Sequence, residues 1–163
     1  MKKPKTVFMS VTVIACLVMA LGAGFAFSQD HLKDLDSVRT SMTDLGYKMP
    51  DVIKNSKPQD IRTLERVFEI NNYAMVTIES YLKMIKMVVS SGGGVNQDVV
   101  KVLNGWLGFI KHYCDYDIKY LDEVLTETKE QTTIEVVKAS KTNISKLREV
   151  TEKGVVENTQ MLQ

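Results

Sequence analysis

The sequence is short of the residues that build most active centres. Its 163 residues include only two cysteines and two histidines, His31 and His112. Neither histidine belongs to a His-Glu-x-x-His or Glu-x-x-His pair, so helical zinc and di-iron sites have no ligand set. No Cys-x-x-Cys-His run exists to attach a c-type haem. A b-type haem on His112 and a methionine would need His112 to face inward, against the apolar stripe of its helix. Gly-x-Ser-x-Gly is absent, and Gly92-Gly93-Gly94 lacks the Lys-Ser/Thr of a phosphate-cradling loop. No catalytic set, metal or cofactor is expected, and the chain reads as non-enzymatic.

An excess of one charge is missing as well. Lys+Arg number 21 against 20 Asp+Glu, a formal net charge of +1. A nucleic-acid binder needs a basic face to displace counterions, so that class is excluded. Hydrophobic residues make up 44% of the chain, too many for a disordered tail. Proline occurs three times, leaving room for long unbroken helices.

Lys2, Lys3 and Lys5 precede an uncharged run from Thr6 to Phe27, the pattern of a secretory signal. Ala26-Phe27-Ser28 places a small-x-small cleavage site before Gln29; Gly24-Phe25-Ala26 offers a second before Phe27. Left uncut, residues 6–27 could anchor the chain in a membrane. Val13-Ile14-Ala15-Cys16 resembles a lipoprotein box, but lipidation there would leave a further apolar run on the mature end. Each version puts the remainder outside the cytoplasm, periplasmic or secreted. Removing residues 1–28 leaves Cys114 alone, so no internal disulfide can form and packing must supply stability.

The remainder, 29–163, reads as one all-α domain. Leu32, Leu35, Val38, Met42 and Leu45 recur at three- and four-residue steps, with Gly46 placed to cap a short first helix. Tyr47 to Lys57 reads as a connector holding Pro50, and Ser56, Pro58 and Gln59 as the start of the next helix. From there Ile61, Leu64, Phe68, Asn71, Met75, Ile78, Leu82, Ile85 and Val89 form a heptad seam. Three glycines then interrupt, and Asn96 or Asp98 can cap the helix beyond them. The second stripe, Val99, Leu103, Trp106, Ile110, Tyr113, Asp117, Tyr120 and Val124, mirrors the first. Folding at the glycines sets Ile85 opposite Leu103, Leu82 opposite Trp106 and Ile78 opposite Ile110, an antiparallel hairpin. Four threonines between Thr126 and Thr133 mark a second turn; without it the chain would be one rod in a dimeric coiled coil. The expected architecture is an up-down antiparallel bundle of three long helices, 57–90, 97–127 and 132–160. The short first helix is laid across a groove.

Polar residues interrupt the two stripes at matching places. Asn71 and Asp117 fall opposite one another, and a carboxylate on a core stripe needs a partner. Arg148 and Lys141 on the last helix are placed to close such a buried polar layer. It would serve either to fix register or to anchor a small ligand, with Trp106, Tyr113 and Tyr120 near it. His112 and Cys114 point to different sides of their helix, so they form no dyad; Cys114 reads as a small core residue and His112 as solvent-facing, near Asp115 or Tyr116. Residues 81–89 are apolar nearly all round and need more than one neighbour. The first helix can be one, and a second subunit meeting Met87 is the alternative. The expected function is an exported binding or structural module that meets protein partners, or itself, through helix faces. The alternative is a small-molecule carrier or sensor with its pocket near Asn71 and Asp117.

Overall fold

The computed structural model describes residues 29–90 and 96–163. The signal segment and the triple glycine lie outside these residues. Four helices follow in order: α1 (Gln29–Asn55), α2 (Pro58–Ser90), α3 (Gln97–Glu127) and α4 (Gln131–Met161). They form an all-helical bundle, with no strand among the described residues.

Local chemistry sets the helix ends. The Asn55 amide donates to the Asp51 carbonyl and the Ser56 hydroxyl to the Val52 carbonyl, both at 2.7 Å, closing α1. Ser56 therefore ends one helix instead of capping the next. Asp60 and Ile61 donate instead to the carbonyl of Lys57, and Pro58 occupies the first turn of α2, where its missing N–H costs nothing. Asn96 caps α3 by accepting from the Val99 amide at 2.9 Å. Residues 128–130 break the chain where the threonines cluster, and Glu130 caps α4 by accepting from the Thr133 amide at 2.6 Å. That carboxyl is held below its usual range mainly by the Thr133 backbone bond. The single-rod alternative is thereby overturned.

The first helix differs most from expectation. It is neither short nor laid across a groove, since α1 runs 27 residues, through Gly46 and Pro50, to Asn55. The expected connector is helical because tertiary burial outweighs two poor helix formers: Met49, between them, is fully buried and continues the stripe of Leu35 and Met42. Each such side chain contributes about 1.5–3 kcal/mol when removed from water.

The helices alternate in direction around a ring. Ser41 of α1 donates to Asn143 of α4, and Lys153 of α4 pairs with Asp34 of α1, an antiparallel register. Arg39 of α1 reaches Glu79 of α2, while Thr43 donates to the Met75 sulfur. On the opposite side, Asp115 and Asp122 of α3 pair with Arg148 and Lys141 of α4. The most extensive packing is between α3 and α4, followed by α1 with α2 and α1 with α4; α2 and α3 adjoin more lightly.

That distribution rotates the expected seams. Leu64, Asn71, Ile78 and Ile85 of α2 are buried as the stripe requires, and so are Leu103, Ile110, Asp117 and Val124 of α3. The other half of each seam shifts by one residue. Val67, Ala74 and Tyr81 are buried in place of Phe68, Met75 and Leu82, which are half-buried. On α3, Val100, Leu107, Cys114 and Leu121 enter in place of Val99, Trp106, Tyr113 and Tyr120. A helix with two neighbours centres its buried face between them, and the main neighbour of α3 is α4.

Candidate functional site

The expected polar layer is only half assembled. Asn71 and Asp117 are both buried, on adjoining helices. The Asn71 amide donates across to α1, to the Met42 carbonyl at 2.8 Å. A Cβ added at Gly46 would stand 3.5 Å from that amide, an ordinary van der Waals contact. Arg148 and Lys141 do not close the layer. Both lie on the outer side of the α3–α4 seam, Arg148 on Asp115 and Glu152, Lys141 on Asp122. The long basic side chains reach acids at the rim, where their charges stay hydrated, instead of entering the core. Arg148 in turn holds the Asp115 carboxyl below the usual range. Burial raises the Asp117 carboxyl, and the charge on Arg66 offsets this in part.

The core carries further polar groups along α4: Thr133, Ser140, Asn143, Thr151 and Asn158. His31 of α1 is fully buried against this helix. A Cβ added at Gly154 would overlap its ring and come within 2.8 Å of Leu107 Cδ1. Burial lowers the His31 pKa, partly offset by Glu157 and Asp34 and reinforced by Lys153. Cys114 is buried, as its place on the apolar side requires, and its thiol is pushed up to about 12 by burial, with Asp117 and Asp115 adding. His112 is exposed, its ring set edge-on to Tyr113 at 6.4 Å. No cluster of metal-ligating side chains occurs among the described residues. A cleft of about 370 Å³ lies elsewhere, between the α1–α2 turn and the start of α4, lined by residues such as Asp51, Lys57 and Thr132. Asn71, Asp117, Trp106, Tyr113 and Tyr120 take no part in it.

The least ordinary surface includes two residues, Trp106 and Tyr113, that the stripes placed inside. Trp106 and Tyr113 are each 39% exposed, and Phe109 between them 43%. The Phe109 ring stands 4.6 Å from Tyr113 and 6.0 Å from Trp106, a continuous ladder on the outside of α3. Tyr73 of α2 joins it at 5.4 Å from Tyr113, extending the ladder across the α2–α3 seam. Tyr116 lies one turn further along α3 and is 64% exposed. Val102, Val76 and Met87 are also exposed. Tyr120 is half-buried at the margin.

The four rings of the ladder are uncharged, although the buried Asp117 carboxyl acts on Tyr73 and on Arg66 across the same seam. Ion pairs cross the α1–α2, α1–α4 and α3–α4 seams, but among the described residues none crosses α2–α3. Arg66, paired with Glu69 at 3.0 Å, lies two turns before Tyr73 on α2. The sequence does hold a signal for this face. Nine uncharged residues separate Lys101 from Lys111, and nine separate Glu69 from Glu79. A helix cannot bury every side of such a run against two neighbours, so part of it must emerge. Among the described residues, no helix is long and apolar enough to cross a membrane.

No protein-family model, curated protein or solved structure matches the chain.

Proposed function

We propose that the chain is an exported, non-enzymatic helical bundle serving as a binding or structural module, and that it meets protein partners through the α2–α3 face. The single observation that carries this reading is the uncharged ladder of Trp106, Phe109, Tyr113 and Tyr73. Contact surfaces are enriched in aromatic residues and depleted of charge at their centres, and a soluble chain seldom leaves such a patch uncovered. The other seams are rimmed by ion pairs, as solvent-facing surfaces are. Export is supported by the lysine-led apolar run of residues 2–27. The lack of any recognised motif supports a non-catalytic role, as does the raised pKa of the buried Cys114 thiol.

Site-specific photo-cross-linking in cells making the full chain tests this. A photoreactive residue in place of Phe109 is expected to yield protein adducts of defined mass, whereas one in place of exposed Glu149 on α4 yields none. No adduct from position 109, or equal adducts from both, overturns the reading.

A further inference from the structure

We infer that the partner on this face is a second copy of the same chain, the two α2–α3 faces meeting about a two-fold axis. The inference rests on the reading of the face as a contact surface and names its occupant. In a two-fold contact each patch meets itself, so any charge on it faces a like charge. The ring residues of the ladder carry none and can be laid against themselves without repulsion; the exposed charges on the same helices, Glu69 one turn from Tyr73, Lys83 one turn from Met87 and Asp98 one turn from Val102, are of both signs. An acidic or basic partner would find no charge on the rings themselves to complement. Aromatic rings, by contrast, pair well with their own kind, edge to face or offset.

The area is of the right order. Taking about 200 Å² for a whole aromatic side chain, the five rings still expose about 450 Å². Val76, Val102 and Met87, together with the backbone between them, bring the patch toward the ~800 Å² per partner of a stable interface. Gly105, one turn before Phe109 on α3, helps, because open space surrounds it and a second helix can approach the backbone there.

Sedimentation of the purified full chain tests the inference, using wild type, Phe109→Lys, Tyr116→Lys and a Glu149→Lys control. Wild type and control are expected at twice the chain mass of 18.4 kDa. Each ladder variant is expected at the single mass with its helical circular dichroism unchanged; Tyr116 is exposed enough that its substitution leaves the core alone. A wild type that stays monomeric up to about 100 μM overturns the inference, since mass action favours a dimer whose dissociation constant lies well below that concentration. Dimers that persist in both ladder variants overturn it equally, by placing the contact elsewhere. So does a monomer that binds neutral phosphatidylcholine vesicles through Phe109. The two readings fail separately: a monomeric chain whose position 109 cross-links to a different protein loses self-pairing but keeps the binding module, and a monomeric chain with no adduct loses both.

Discussion

The ring of His31 occupies the space that a side chain at Gly154 would need, so the packing of α1 on α4 there depends on the absence of one methyl group. This sets Gly154 apart from the other helical glycines. A Cβ at Gly105 or Gly108 would meet nothing within 4 Å, and one at Gly46 only ordinary contacts.

Alanine at these positions should therefore act in opposite directions. Gly108→Ala is expected to stabilise the fold by roughly 0.5–1 kcal/mol through helix propensity alone. Gly154→Ala is expected to destabilise it by roughly 1–3 kcal/mol, because overpacking against His31 and Leu107 outweighs that gain. Urea unfolding of the two variants beside wild type checks the pair.

Two buried titratable groups give stability opposite pH dependences. The folded-state pKa of His31 is lowered from 6.5, so the unfolded chain binds the extra proton first. Stability is full above about pH 6.5 and falls as pH drops through the lowered value. His31→Gln should flatten that slope. The folded-state pKa of Asp117 is raised from 3.8, so its contribution rises as pH falls toward that value. Asp117→Asn should raise stability at neutral pH by removing a buried charge, and give no advantage once the wild-type carboxyl is protonated. Unfolding free energies measured between about pH 3.5 and 8 test both signs.

The outer positions of Arg148 and Lys141 make them weak supports. Arg148→Met and Lys141→Met should each leave stability almost unchanged, as solvent-exposed ion pairs contribute little. The difference should shrink further in high salt, as screening demands. A loss of several kcal/mol in denaturant unfolding would instead place these charges inside the core.

Cys114 should be silent toward thiol reagents in the native protein. Its sulfur is buried and its pKa pushed up to about 12, so little thiolate forms at neutral pH. Labelling with a chromogenic disulfide should stay slow until denaturant unfolds the chain, then proceed at the rate of a free thiol.

Helix periodicity made much of this fold legible. The break after Glu127, the Asn96 cap, the burial of Leu35 and Met42, and half of each seam follow from spacing and turn chemistry alone. Pro50 and Gly46 misled because local propensity argues for a stop there, while burial of Met49, which is a tertiary effect, keeps the helix going. The other half of the seams was hidden for a related reason. A heptad pattern reports which residues share a face, but only the identity of the neighbours decides where the centre of that face lies. Trp106 and Tyr113 sit one residue from that centre, and turning α3 toward α4 brings them half out of the core. The polar layer failed because Asn71 found a backbone carbonyl on α1, a helix whose full length the sequence concealed.

The most direct test of the aromatic face is the thermal midpoint of the full chain at about 1 μM and about 100 μM, measured for wild type and for Phe109→Lys. Binding between folded copies stabilises by mass action, so the wild-type midpoint should climb with concentration. The variant's midpoint should stay fixed at the dilute wild-type value. A wild-type midpoint that ignores concentration, or a variant that melts far lower even when dilute, would contradict the account by making Phe109 part of the fold and not of a contact.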